Sequence, residues 1–109
     1  MTPADNTDKM DLSSRDYIFP DSNSRYLTDE DLSGYSSDQL ELAKNEIYAR
    51  HGRKFVTQRI ADYFNSKSWY KGTVEPETFD ADTSVFNEYE VANIQKIADT
   101  EGKLRSEGK

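Results

Sequence analysis

The stretch SDQLELAKNEIYARHG, residues 37–52, decides the fold of this 109-residue chain. Its apolar side chains recur at spacings of three, four and one, which places them on one face of a helix: Leu40, Ala43, Ile47 and Tyr48. Gly52 ends the pattern, because glycine adopts without steric cost the left-handed conformation that closes many helices. The stretch therefore predicts one long helix with a buried face that other parts of the chain have to cover.

A second pattern marks further helix N-termini. It consists of an apolar residue, a capping residue, two free positions, an acid or amide, and another apolar residue. Such a segment forms a capping box flanked by a hydrophobic staple. It occurs three times, as LTDEDL (27–32), YSSDQL (35–40) and FNEYEV (86–91). These segments predict helices that begin near residues 29, 37 and 88, the last one running to about residue 101, and the looser match VTQRIA (56–61) precedes a fourth over 58–65.

The remaining segments are predicted to cover these helices. In the segment DYIFPDSNSRYL (16–27), residues 17–19 are aromatic or aliphatic and precede Pro20, which disfavours helical backbone before it. This segment begins extended and is expected to lie across the helices as an aromatic strap. Residues 72–83 are expected to form a loop anchored by Phe79. Sustained alternation of apolar and polar residues is missing, so the fold class is mainly α. The prediction is a small single-domain bundle of three to four short helices with an N-terminal extended aromatic segment.

The ends of the chain are polar and set the expected domain boundaries. Residues 1–15 carry little that could be buried and are interpreted as a disordered lead or linker, and residues 102–109 as a flexible tail. The helical domain then spans residues 16–101. Apolar residues make up 34% of the chain and charged residues 32%, so the core is small and relies on thirteen aromatic rings.

Composition excludes several classes of function. The absence of cysteine rules out disulfides, thiolate catalysis and cysteine-based zinc sites. Apolar runs are too short for a membrane span, so this segment is not expected to insert into a membrane. The net charge of −7 disfavours nucleic acid as a partner. Since the chain has a single histidine and carries neither a recognised nucleophile motif nor a glycine-rich phosphate loop, we expect no enzymatic activity, metal or cofactor.

Several polar residues of the predicted helices have structural interpretations. Glu46 and Arg50 are four residues apart, the spacing of an exposed helical ion pair. His51 continues the apolar face and is interpreted as a buried or half-buried ring that donates a hydrogen bond to a carbonyl or carboxylate. Asn45 and Asn93 lie beside apolar positions, where a buried amide needs partners, so each is expected to bind a loop carbonyl.

Charge is distributed unevenly along the chain. Residues 44–71 carry seven positive and two negative side chains, +5, whereas the remainder carries seven positive and nineteen negative, −12. Either the basic centre binds an anionic partner or the acidic flanks fold back and neutralise it. Arg53 and Lys54 have no evident structural role in the pattern. The candidate ligand site combines cations for an anionic group with two stacking rings: Arg50, Arg53, Lys54, Arg59, Trp69 and Tyr70.

The chain resembles the YARHG domain family over about residues 16–101. LELAKNEIYARHGRKF (40–55) contains the five letters that name the family, from Tyr48 to Gly52. Three further segments are similar to the lead-in, the Ser-x-x-Trp-Tyr segment and the closing helix of the family: YIFPDSNSRYLTDEDLSGYS (17–36), YFNSKSWYKG (63–72) and FNEYEVANIQKI (86–97). Gly72 departs from the proline that often follows the Trp-Tyr-Lys of the family.

The resemblance implies a presumed extracellular module, found in secreted, lipoprotein or membrane-anchored bacterial proteins, many of them Gram-positive. It implies no established activity and no agreed catalytic residues. An extracellular or cell-surface location, in a secreted or anchored parent protein, is therefore expected. The motif residues Tyr48, His51 and Gly52 are interpreted as structural, Tyr48 in the core and the other two at the helix end.

Three hypotheses for the function follow. The first is a monomeric, non-catalytic surface module that binds a protein or an anionic cell-envelope polymer. The second is a hydrolase acting on cell-wall glycan or peptide, which would use Glu46 with His51 or with Asp62. The third is a structural spacer that holds another domain.

Overall fold

The computed structural model describes residues 16–108, and the predicted lead over residues 1–15 lies outside that range. Within residues 16–108 the chain forms helices and no strand, which confirms the mainly α class. The helices are α1 Asp29–Leu32, α2 Ser37–Ala49, α3 Gln58–Asn65, α4 Pro76–Ala81 and α5 Glu88–Ser106. A single parallel bridge between Arg53 and Val74 joins the turn after α2 to the segment before α4.

The three predicted capping boxes are all formed. At the start of α1, α2 and α5 the cap side chain accepts the N3 backbone N–H, and the N3 side chain accepts the cap N–H: Thr28 with Asp31, Ser36 with Gln39, and Asn87 with Glu90. At the start of α3 the Thr57 side chain makes no cap bond, and the N–H of Ile60 donates to the Thr57 carbonyl at 3.1 Å. Ile60 also lacks the acid or amide that the reciprocal bond of a capping box needs. Local sequence thus defines three of the five helix starts described here.

The antiparallel packing partners α2 and α5 build the larger of two apolar clusters. Three residues of the α2 face predicted from spacing are buried there against Ile97 of α5, and the strap and α1 close the cluster: Leu40, Ala43, Ile47, Ile97, Ile18, Phe19, Leu27 and Leu32. The fourth residue of that face, Tyr48, was expected in the core but is only partly buried and lies outside this cluster. A second cluster forms around Phe64 of α3, with Ala49, Ile60 and partly buried Phe55, Trp69 and Tyr70. Trp69 and Tyr70 therefore cover one end of the core, as predicted.

Two segments differ from their predictions, residues 72–83 and the C-terminal end of α5. The expected loop over residues 72–83 contains the helix α4, which Pro76 opens at a position where its missing N–H is not needed. Phe79 is buried and anchors this helix, as the loop prediction proposed for its ring. The aromatic strap lies across the helices as predicted, with turns over residues 20–24.

The last helix continues to Ser106, past the end predicted near residue 101, so the boundary drawn at residue 102 falls inside α5. The extra turn has partners that a tail would lack. Glu101 accepts hydrogen bonds from Lys44 of α2 and from Arg105, and Leu104 packs against the larger cluster. These contacts bind the C-terminal turns of α5 to α2.

Gly52 ends the α2 region as the sequence predicted. Its φ of +91° lies in the left-handed region, and its N–H donates to the carbonyl of Ala49 at 2.9 Å. The carbonyl of Gly52 then accepts N–H groups from Thr73 and Val74, each at 2.9 Å. A Cβ at this position would lie 2.8 Å from the side-chain oxygen of Thr73. Both the conformation and the close approach therefore require glycine.

We predict that Gly52→Ala lowers the free energy of unfolding by about 1–3 kcal/mol, because a side chain at positive φ is strained and the Thr73 hydroxyl blocks the Cβ. The matched control is Gly102→Ala inside α5, where a Cβ meets no atom within 4 Å and alanine favours the helix. Urea denaturation of both variants is the measurement. Equal stability of the two would contradict the role given to Gly52.

Candidate functional site

Glu46 lies beneath the strap and not on an open helix face. Its residue exposure is 1%, and its two carboxylate oxygens accept the backbone N–H groups of Ile18 at 2.7 Å and Phe19 at 3.1 Å. Arg50 donates to the carbonyl of Pro20 at 3.0 Å, and its guanidinium lies 4.6 Å from the centre of the Tyr17 ring. The predicted surface ion pair of Glu46 with Arg50 is therefore wrong, because the strap covers this part of α2.

Further side chains hold the strap by its main chain. Asn93 of α5 accepts the N–H of Leu27 at 2.8 Å and donates to the carbonyls of Ser22 and Arg25. Trp69 stacks on Tyr17 with ring centres 4.8 Å apart, and its indole N–H donates to the carbonyl of Asp16. The prediction that Asn93 fixes loop carbonyls is confirmed. The same prediction for Asn45 is wrong, since its amide donates to the carbonyl of Glu41 within α2.

His51 connects the end of α2 to the start of α5. Its Nε2 lies 2.8 Å from Oε2 of Glu90, whose other oxygen accepts the N–H of Asn87 in the capping box of α5. The edge of its ring also faces Phe86 at 5.2 Å between ring centres. The ring is about one quarter exposed, in agreement with its interpretation as a half-buried, hydrogen-bonded side chain.

The pairs that the hydrolase hypothesis needs are not joined by hydrogen bonds within residues 16–108. Both oxygens of Glu46 accept backbone N–H groups of the strap, and His51 contacts Glu90. Asp62 accepts a hydrogen bond from Gln58 in the preceding turn of α3. In the same described part of the chain, histidine and carboxylate side chains form no cluster of three or more that could hold a metal ion.

The basic residues singled out from the sequence have acidic or main-chain partners in the structure. Arg53 forms a bidentate pair with Asp80, with Nε to Oδ1 at 3.0 Å and Nη2 to Oδ2 at 2.9 Å, and Lys54 pairs with Glu75 at 2.6 Å. The statement that Arg53 and Lys54 lack a structural role is therefore wrong. Arg59 pairs with a carboxylate of α2. Acidic segments on both sides thus fold back onto the basic centre, as the neutralisation hypothesis held.

Electrostatic effects accompany these pairs. The Arg53 guanidinium lowers the pKa of the Asp80 carboxyl by its hydrogen bonds, and the hydrogen bond to Glu75 raises the pKa of the Lys54 ammonium. At Glu46, burial raises the pKa to about 7 although the strap N–H groups, Arg50 and Lys67 act in the opposite direction.

A small cavity lies beside the Arg53–Lys54 pair. It has a volume of about 280 Å³ and is lined by Lys54, Phe55, Ala61, Asn65, Tyr70 and Gly72. The Tyr70 hydroxyl donates to the carbonyl of Arg53 at 2.7 Å, which fixes the ring beside the basic loop. A Cβ at position 72 would lie 2.5 Å from that hydroxyl, so a larger residue here would require the Tyr70 ring to shift.

The structure thus divides the six predicted ligand residues. Lys54 and Tyr70 line the cavity and Arg53 adjoins it, whereas Arg50 and Trp69 sandwich the Tyr17 ring of the strap and Arg59 pairs across to α2. Sequence reasoning missed Phe55 as a lining residue. Its position directly after Arg53 and Lys54, at the end of a basic run, was the signal that could have found it.

In a comparison with known protein families, residues 15–102 match the family model of the YARHG domain. The chain belongs to the YARHG domain family. This family is a presumed extracellular module of unknown function. No curated protein and no solved structure gives a significant match. Among residues 16–108, the helices of this YARHG domain are too short or too polar to cross a membrane.

The five residues that name the YARHG domain each make a different connection. Tyr48 packs against the aromatic rings of α4 and of the α4–α5 segment, and Ala49 is buried in the smaller cluster. Arg50 holds the strap, His51 holds the start of α5, and Gly52 forms the turn that meets the segment before α4. The motif is therefore a structural junction, and the ligand candidates lie in the residues that follow it.

We predict a decrease in stability between pH 4.5 and 7 that depends on Glu46. The pKa of this carboxyl is 4.5 when unperturbed and about 7 in the folded domain, so within this window the folded state binds the additional proton. Its contribution is complete below pH 4.5 and is lost as the pH rises through 7. The loss is on the order of 2–4 kcal/mol, since each pKa unit corresponds to about 1.4 kcal/mol.

The measurement is the free energy of unfolding at several pH values for the wild type and for Glu46→Gln. Comparison of the slopes cancels the contributions of the other titratable groups, because both proteins contain them. An NMR titration of the Glu46 carboxyl carbon in the wild type reports the same pKa without a substitution. Parallel stability curves, or a carboxyl that titrates near 4.5, would refute the prediction.

Proposed function

We propose that this YARHG domain is a non-catalytic extracellular bacterial module that binds an anionic cell-envelope polymer. The observation that supports this function is the guanidinium of Arg53. It is fixed within the domain, yet the edge that recognises carboxylate or phosphate faces an exposed partner. Lys54 and the cavity beside it extend the same surface.

Arg53 is held independently of its acidic partner. Its Nη1 donates to the carbonyl of Lys54 at 3.1 Å, and its guanidinium carbon lies 5.9 Å and 5.4 Å from the ring centres of Tyr48 and Phe55. The side chain is 17% exposed, whereas that of Asp80 is 58% exposed. An incoming anion can therefore replace Asp80 while the guanidinium keeps its place. The guanidinium presents its N–H donors as a planar fork, and because this fork is already fixed, the side chain loses little rotamer freedom when it binds an anion.

The neighbouring surface suits the rest of a polymer repeat unit. Lys54 is 45% exposed and provides a second cation. The rings of Phe55 and Tyr70, with centres 6.1 Å apart, form an apolar wall of the cavity, and Asn65 adds an amide at its edge. Val56, which follows Phe55, is exposed over 83% of its surface and adds apolar area next to this wall. Anionic, apolar and hydrogen-bonding parts of one ligand thus have matching groups on the domain.

The other hypotheses have less support from the geometry. A surface protein with an acidic segment would use the same cations and is the second ligand class predicted from the sequence. The hydrolase hypothesis relies on Glu46, whose oxygens are taken up by the strap. A spacer has no use for a cavity beside a fixed guanidinium.

We predict that Lys54→Ala weakens binding to purified teichoic acid about fivefold or more, since one exposed cation of a charged contact is lost. Lys96→Ala is the matched control, because Lys96 also forms a 2.6 Å ion pair, with Asp29, but lies on α5 outside the cavity lining. Isothermal titration calorimetry at two salt concentrations is the measurement. Arg53→Lys, which keeps the charge and removes the fork, is expected to weaken binding as well.

The proposal fails if the wild-type domain does not bind the polymer, or if Lys54→Ala and Lys96→Ala reduce its affinity equally. Binding to an acidic surface protein with no affinity for the polymer would favour the second ligand class. Circular dichroism of each variant verifies that the helices are intact before binding is compared.

A further inference from the structure

One short segment supplies both carboxylates that occupy the cations of the proposed site. Glu75 directly precedes α4 and pairs with Lys54, and Asp80 in the last turn of α4 pairs with Arg53. These pairs join residues 21 and 27 positions apart in the chain. The segment from 75 to 81 therefore places two negative groups where an anionic ligand would place its own.

The geometry of the Arg53 contact is that of ligand recognition. Two parallel N–H groups meet the two oxygens of one carboxylate, which is the arrangement by which arginine binds carboxylate or phosphate from any source. The pair between Lys54 and Glu75 is a single contact between side chains that are 45% and 61% exposed. Exposed pairs of this kind contribute little to stability and exchange partners easily.

The position of α4 does not depend on these ion pairs. Phe79 is buried and packs edge-on against Tyr48 and Phe86, at 5.9 Å and 5.6 Å between ring centres. The main chain directly before α4 is held as well, since Lys54 donates its N–H to the carbonyl of Val74 and the N–H groups of Thr73 and Val74 donate to the carbonyl of Gly52, each at 2.9 Å. Glu75 and Asp80 therefore remain beside their cations when the pairs open, and they return when a ligand leaves.

We propose that Glu75 and Asp80 are internal competitors that lower the affinity of the site, and that the ligand is a polyanion whose phosphate or carboxylate groups displace them. This inference rests on the proposed function, because it concerns the same cations. The two carboxylates stand in for the anionic groups of the polymer. Affinity is then set by the difference between the intramolecular and the intermolecular pairs.

The test uses Glu75→Gln, Asp80→Asn and the double variant, each of which removes a competing charge and keeps the size of the side chain. Glu77→Gln is the matched control, because it removes the same negative charge from α4. The carboxylates that pair with Lys54 and Arg53 are Glu75 and Asp80, so this variant leaves both ion pairs in place. A poly(glycerol phosphate) and a polyuronate are titrated in parallel, so that phosphate and carboxylate sources are distinguished. Calorimetry gives the dissociation constants.

We expect each single variant to bind the preferred polymer about two- to fivefold more tightly than the wild type, and the double variant more tightly still, the range that follows from removing exposed competing pairs. Glu77→Gln should change the affinity by less than either.

Three results would overturn it, and they are distinguishable. In the first, the wild type binds, Lys54→Ala loses binding, and Glu75→Gln and Asp80→Asn leave the affinity unchanged. This result would refute the competition by Glu75 and Asp80 and leave the proposed function intact. No binding of either polymer by any variant, including the double variant, would refute the proposed function and this inference together. Equal gains in affinity in Glu77→Gln and in the competitor variants would show that the net charge alone causes the effect. This result would also refute the role of Glu75 and Asp80 as competitors.

Discussion

The buried carboxylate of Glu46 and the two strap N–H groups that it accepts are the contact on which the rest of the domain depends. A carboxyl group with 1% exposure needs hydrogen bonds in place of water, and the main chain at Ile18 and Phe19 supplies them. The same contact gives these two backbone N–H groups a partner in the interior. Because the side chains of Ile18 and Phe19 complete the cluster between α2 and α5, the polar contact and the apolar core form together.

Local rules predicted the parts of the fold that local contacts define. Three capping boxes and the apolar face of α2 are encoded within a few residues, so they could be recognised from the sequence. The short helix α4 was missed, since six residues carry too little periodicity to distinguish a helix from a loop with one apolar anchor. The extra turn of α5 was missed for a different reason: Glu101 and Arg105 acquire their partners on α2, which the sequence of the tail does not reveal.

In the candidate site, too, the sequence indicated which residues need a partner but not which distant residue supplies it. Asn93 and His51 were interpreted correctly, because a polar group on an apolar helix face needs a partner whatever that partner is. Glu46 was assigned to Arg50 since spacing rules consider one helix at a time, whereas its true partners are 27 and 28 residues away. Arg53 and Lys54 were recognised as cations of interest. That one short segment would bring carboxylates to both was beyond any local pattern.

The acidic flanks and the basic centre now have a common explanation. A domain with a net charge of −7 repels a polyanion at long range, so binding of the proposed kind depends on cations that are exposed at short range and on exchange of their partners. Each exchange replaces one carboxylate by another anion and therefore yields little free energy by itself. A polymer compensates for this by presenting many identical groups, since rebinding at neighbouring repeat units raises the effective concentration. A surface that makes only weak single contacts therefore needs a ligand with repeated anionic groups. In the proposed function, this favours a cell-envelope polymer over a small anion.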